Sequence, residues 1–121
     1  MKIHQSGEDY LETIYILQKD QMHVRSIDIA NQFGYSKASV SRAMKILKES
    51  GFIYFSNQHY IILTEQGEKR AKEVYERHRL IREFLMQSLN LSEEQAEDDA
   101  CKIEHILSPI AFMRIKEYLK K

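Results

Sequence analysis

Two residues, Gly34 and Tyr35, are all that separate two amphipathic stretches, and this short break limits the possible folds more than any other feature of the chain. Residues 27–33 read as a short helix behind Ser26, and Gly34 supplies the left-handed conformation that ends it. Ser36 then caps a third helix, in which Val40, Ala43, Met44 and Leu47 recur at i, i+3, i+4, i+7 and face a core. Lys37, Ser41, Lys45 and Lys48 line the other side, which is wholly basic or hydroxylic. Gly51 closes this helix, and residues 53–56 and 59–63 read as two strands about a polar turn at Asn57-Gln58. Two short helices across a tight turn, followed at once by a hairpin, describe a winged helix-turn-helix.

The flanking segments are helical. Residues 7–19 form a first helix behind Ser6, with Tyr10, Ile14 and Leu17 on the buried stripe and Asp9 and Glu12 sharing a neighbouring face. Thr64 caps a long helix reaching about Gln87, whose apolar stripe of Ala71, Val74, Tyr75, Ile81 and Leu85 also carries His78. Ser92 with Gln95 makes a capping box for a fifth helix, and Ser108-Pro109 starts a sixth. The fold class is therefore mainly α with one β-hairpin: a winged helix-turn-helix over residues 1–63, then an all-helical domain over residues 64–121. With four glycines, one proline and no low-complexity tract, the two parts should be rigidly joined.

Charge separates the two halves. The chain as a whole is neutral, with 18 basic and 18 acidic residues, so no net field draws it to nucleic acid or an anionic membrane and a polyanionic partner must be met by a local patch. Residues 36–48 supply one, with Lys37, Arg42, Lys45 and Lys48 and no acid, whereas residues 92–104 carry six acids against Lys102. Lys and Arg on the third helix can neutralise phosphates, and short hydroxyls at its start can approach phosphates or base edges. The candidate DNA-binding residues are Ser36, Lys37, Ser39, Ser41, Arg42 and Lys45. Any amphipathic helix has a charged solvated face; the tight turn and trailing hairpin favour the DNA reading. Tyr54, Phe55, His59 and Tyr60 also fit a stacking platform for single strands, although ordinary strand propensity explains them as well. His4 and His23 read as surface residues.

In the fifth helix Cys101, Glu104 and His105 stand at i, i+3, i+4, which places thiolate, carboxylate and imidazole on one helix surface. That donor set suits a divalent transition metal. Each residue also has an ordinary explanation: a small packed cysteine, a hydrogen-bonded buried imidazole, and, for Asp9 and Glu12, a first-turn pair favoured by the helix dipole.

Taken in order, Glu8 to Tyr15, the hydroxyl-rich third helix, Leu63-Thr64-Glu65-Gln66-Gly67, Arg77-His78-Arg79-Leu80 and Ile103 to Ser108 resemble the diphtheria toxin repressor and manganese transport regulator family, over nearly the whole chain. The resemblance implies a homodimer that, on binding iron or manganese, clamps two winged helices onto a palindromic operator in double-stranded DNA and represses metal-uptake genes. It further implies that Asp9, Glu12, His78, Glu104 and His105 are metal ligands, as in the manganese-responsive branch. Cys101 departs from that branch, which has a glutamate there, and looks like the iron-responsive one; Asp9 departs from the iron branch, which has a methionine. The implied site is a hybrid. Arg82 and Glu97 replace the acidic and histidine positions of the iron branch's second site, so that site is not expected, and the chain ends before the SH3-like domain of longer members.

The expectation is thus a metal-dependent transcriptional repressor controlling manganese or iron homeostasis, with Asp9, Glu12, His78, Cys101, Glu104 and His105 as ligands. The thiolate of Cys101 leans the choice to iron(II) over manganese(II), with zinc(II) or cobalt(II) able to occupy the site in vitro. Two other classes compete. An enzyme using Cys101 as nucleophile is disfavoured because no glycine-rich oxyanion or phosphate loop is visible and no small-molecule substrate is implied. A winged-helix regulator whose helical half only dimerises would bind DNA without metal. The apolar residues Ile110, Met113, Ile115, Tyr118 and Leu119 of the last helix suggest the dimer surface. No apolar run approaches the roughly 20 residues a membrane span needs, residues 1–8 lack a signal-peptide core, and the single cysteine forms no internal disulfide; a cytoplasmic protein with no membrane partner is expected.

Overall fold

The computed structural model describes residues 5–120, so His4 lies outside the described residues. Six helices and one hairpin follow in the order α1 (Gln5–Asp20), α2 (Ser26–Phe33), α3 (Lys37–Glu49), β1 (Ile53–Phe55), β2 (Ile61–Leu63), α4 (Glu65–Leu89), α5 (Glu93–Ile103) and α6 (Pro109–Leu119). The chain divides into two compact units, residues 1–72 and 73–121, so the division falls inside α4.

In the first unit, Gly34 ends α2 at φ 72° and its N–H bonds the Ala30 carbonyl, which turns the chain sharply into the Ser36 cap of α3. Ser36 Oγ accepts the Ser39 N–H at 3.1 Å. The start of α2 differs from expectation: Ser26 lies inside the helix, and Arg25 holds the cap position, its N–H bound by the Asp28 carboxylate at 2.8 Å. Ser6, likewise, lies within α1. Leu11, Ile14, Ile29, Val40, Met44, Leu47, Phe52, Ile53 and Ile61 are buried together with Ala71 from the start of α4, while Leu17 and Ala43 are only partly covered.

The strands pair antiparallel with Ile53 opposite Leu63 and Phe55 opposite Ile61. They are shorter than the β-rich runs suggest. The Ser56 N–H bonds the Tyr60 carbonyl, and His59, at φ 65°, adopts a turn conformation that no strand accommodates. At the exit of β2, Thr64 does two jobs: its hydroxyl donates to the Gly51 carbonyl at 2.7 Å and accepts the Gly67 N–H at 3.0 Å. Gly67 has to be glycine, because a Cβ there would stand 1.9 Å from the Phe52 carbonyl oxygen. The Leu63 to Gly67 stretch thereby ties the hairpin to α4 through backbone contact.

In the second unit Ile81, Leu85, Ala96, Ala100 and Ile115 form a separate core. Ser92 caps α5 by accepting the Gln95 N–H, but the Gln95 side chain turns to Asp99 and does not reach back, so the expected reciprocal box is a simple cap. Ser108 caps α6 with Pro109 in its first turn. Ile115 belongs to this core, in contrast to the exposed surface expected for it, whereas Ile106, Ile110 and Met113 are exposed at 79%, 72% and 59%.

Candidate metal centre and DNA-reading face

His78 projects from the middle of α4, and α5 brings three further donors toward it. The helix stops at Ile103, one residue before Glu104, so Glu104 occupies the helix C-cap and His105 the turn beyond. Arg77, the neighbour of His78, donates to the Glu104 carbonyl at 2.9 Å and fixes that turn against α4. Glu104 is fully buried. One of its carboxylate oxygens lies 2.6 Å from His78 Nδ1 and the other 3.1 Å from His105 Nε2. Yet among the described residues neither oxygen receives a bond of hydrogen-bonding geometry.

A fully buried carboxylate whose oxygens lack hydrogen bonds is costly, since burial strips its water. Two imidazoles converging on it supply the nitrogen donors that accompany carboxylates around a divalent ion. Cys101, exposed on α5, completes a group in which one ligand atom each from His78, Cys101 and Glu104 lies within 4.8 Å of the others. On the orphaned Glu104 oxygens and the mixed donor set, the residues fit a transition metal.

The outer edge of the centre is a chain of charges. His78 Nε2 lies 2.7 Å from Glu97 Oε1, and Arg82 donates to the other Glu97 oxygen at 3.0 Å. Burial pushes the Glu97 carboxyl up, but the hydrogen bonds and charges of His78 and Arg82 outweigh it and hold the group below the usual carboxylate range. Arg77 and Glu97 were not among the expected site residues. A signal for Glu97 exists in the spacing, because positions 97, 101 and 104 repeat at i, i+4, i+7 on one face of α5. No local pattern marks Arg77.

Asp9 and Glu12 lie on α1 in the amino-terminal unit, one turn apart, Asp9 half-buried and Glu12 buried. Beside Asp9 on α1, Glu8 accepts an ion pair from Arg70 at 3.0 Å, which fastens α1 to the first turns of α4.

On α3 the side chains of Lys37, Ser41, Arg42 and Lys45 are exposed along one helix. Ser36 is also exposed but its hydroxyl is the cap, and Ser39, half-buried, is 3.0 Å from it. The two serines therefore serve the helix start first. Near the hairpin, Tyr60 stacks on His23 with ring centres 4.0 Å apart and lies under the Arg25 guanidinium. Tyr60 is thus occupied by protein, which leaves less of the aromatic platform than its strand pattern suggests.

Comparison with known proteins matches both units. Residues 2–60 match the iron dependent repressor N-terminal DNA binding domain, and residues 64–121 match the iron dependent repressor metal binding and dimerisation domain. A helix-turn-helix transcriptional regulator of Methanocaldococcus jannaschii is 34% identical over 118 residues, covering 97% of this chain and 94% of its own. The transcriptional regulator MntR of Bacillus pumilus is 32% identical over 115 residues, covering 95% and 79%. The solved structure of the manganese regulator SloR superposes with a TM-score of 0.83 at 30% identity; it covers 99% of this chain, which spans only 55% of that protein.

Proposed function

The chain belongs to the iron-dependent repressor family of metal-dependent transcriptional regulators, and from that premise we propose that it represses metal-homeostasis genes by binding operator DNA as a metal-loaded homodimer. The observation that carries this reading is Glu104: a buried carboxylate, its oxygens without hydrogen bonds, with His78 and His105 converging on it. In a repressor such a group makes the helical domain incomplete without an ion. His78, Cys101, Glu104 and His105 hold the metal, with Asp9 and Glu12 of α1 as the oxygen ligands that the family pattern supplies. A bound divalent cation would neutralise the buried Glu104 carboxylate.

Ser36, Lys37, Ser39, Ser41, Arg42 and Lys45 form the DNA surface. Arg42 and Lys45 offer free cationic ends to phosphates or guanine edges, while Ser36 and Ser39 fix the helix start that points at the groove. A two-fold pair of heads fits a palindromic site, and the matched dimerisation domain with its exposed Ile106, Ile110 and Met113 supplies the pairing surface. The protein acts as a regulator, not an enzyme, in the cytoplasm; among the described residues no helix is long and apolar enough to cross a membrane. The thiolate favours iron(II) over manganese(II), while the carboxylates keep both above a tetrahedral zinc site. The test is anaerobic binding to a palindromic duplex, selected with metal-loaded protein, titrated with iron(II), manganese(II), cobalt(II) and zinc(II). Affinity should rise with added iron or manganese. Equal affinity with a chelator present would make the helical half a dimerisation module only.

A further inference from the structure

Glu97 stands outside the proposed ligand set, yet it holds one of the proposed ligands directly. Its Oε1 is 2.7 Å from His78 Nε2, and its Oε2 is held at 3.0 Å by the Arg82 guanidinium. The other ring nitrogen of His78 faces the opposite way, toward the buried Glu104 carboxylate, 2.6 Å from Oε2. A carboxylate can only accept, so the Glu97 contact favours the tautomer with the proton on Nε2, while Nδ1 is turned inward. Arg82 matters because its guanidinium occupies the second Glu97 oxygen and sets a positive charge at the edge where a further cation would approach. The guanidinium is also permanently charged, so the grip persists across the physiological pH range.

We propose that Glu97, clamped by Arg82, is a positioning residue that presents His78 to the metal through Nδ1, and that the Arg82–Glu97 pair closes this edge so that the centre takes one ion per subunit. This rests on the reading of His78 and Glu104 as ligands given above. A hydrogen-bonded carboxylate behind a ligating histidine fixes the ring and raises its basicity, and losing it lowers metal affinity by about 10- to 100-fold. The side chain of Glu97 is 47% exposed, so its removal leaves the core of the domain intact.

The experiment uses the full chain and three proteins: wild type, Glu97→Ala and Glu97→Gln. Manganese(II) affinity is measured by chelator competition, and ions per subunit by native mass spectrometry. The protonated nitrogen of His78 is read by long-range 1H–15N correlation on the zinc-loaded, histidine-labelled protein. Wild type should bind one ion with the proton on Nε2. Glu97→Ala should bind about 10- to 100-fold more weakly with His78 no longer confined to that tautomer. Glu97→Gln, which keeps an acceptor for Nε2, should retain the tautomer and recover part of the affinity. Two ions per wild-type subunit, or wild-type affinity and tautomer in Glu97→Ala, would overturn the proposal. Wild type binding no ion at all would instead remove the metal-centre reading on which it rests.

Discussion

The amino-terminal head and the helical domain both use charged side chains, but they hold them in opposite ways. On α3, Lys37, Arg42 and Lys45 stand exposed, and the helix under them is built by an apolar stripe and a serine cap that do not involve their charges. In the helical domain the charged groups are the construction. Glu104 is buried between His78 and His105, His78 is held by Glu97, and Glu97 is held by Arg82. A surface of the first kind can lose one charge and keep the rest in place, whereas removing one member of the second disturbs the groups that hold its neighbours. Contacts on α3 should therefore be nearly additive, and those around Glu104 strongly coupled.

The largest effect expected is at the coupled site. His78→Ala and Glu104→Ala should each lower manganese(II) affinity by about 100-fold or more, the upper end of what losing even an outer partner costs. The double variant should be little worse than either, since each change already dismantles the shared arrangement. Chelator competition on the four proteins of the cycle measures the coupling. Two losses that simply multiply would break the comparison, because they would make His78 and Glu104 independent ligands.

A smaller effect is expected on the head. Arg42→Ala and Lys45→Ala should each weaken operator binding by about 1 kcal/mol or more and reduce the salt slope by about one. Together their costs should add to within about 0.5 kcal/mol, as for separated sites without shared partners. Metal affinity should hardly change. Fluorescence anisotropy over a salt series decides the matter, and unaltered affinity and slope in both variants would remove α3 from DNA recognition.

The same contrast explains what could be read from the residues alone. The Gly34 turn, the Ser36 cap and the basic face of α3 are local, each written within a few neighbouring positions, and the structure has them where the pattern puts them. Local reading failed where a competing side chain or turn took over: Arg25, its N–H bound by Asp28, holds the cap position of α2 in place of Ser26, and the turn at His59 shortened the strands. In the helical domain the spacing of Cys101, Glu104 and His105 picked out candidate donors but treated them as one helix face. The helix ends at Ile103, so His105 meets Glu104 from the turn beyond. The contacts that organise the site span 19 residues from His78 to Glu97 and 27 from Arg77 to Glu104. Such pairings depend on how α4 and α5 pack; the repeat at 97, 101 and 104 marks a face of α5 but not its partner on α4. Asp9 and Glu12 became candidates through family resemblance, because an acidic pair on the first turns of a helix is ordinary in itself.

The smallest effect expected is one of selectivity at Cys101, where the two kinds of site meet in a single residue. Its thiol is exposed like the charges of α3, yet it lies within 4.8 Å of ligand atoms of His78 and Glu104. Manganese(II) is the weakest binder of the first-row series and prefers carboxylate, imidazole and water, so it gains little from a thiolate that iron(II) uses better. Cys101→Glu exchanges the soft donor for a hard one, and glutamate suits an α5 position. It should shift activation of operator binding a few-fold toward manganese(II) relative to iron(II), with total DNA affinity at saturating metal unchanged. The measurement is anaerobic operator binding by both proteins at matched free concentrations of the two ions. An identical iron-to-manganese ratio would place Cys101 with the independent surface residues; collapse of binding with both ions would place it inside the coupled set with Glu104.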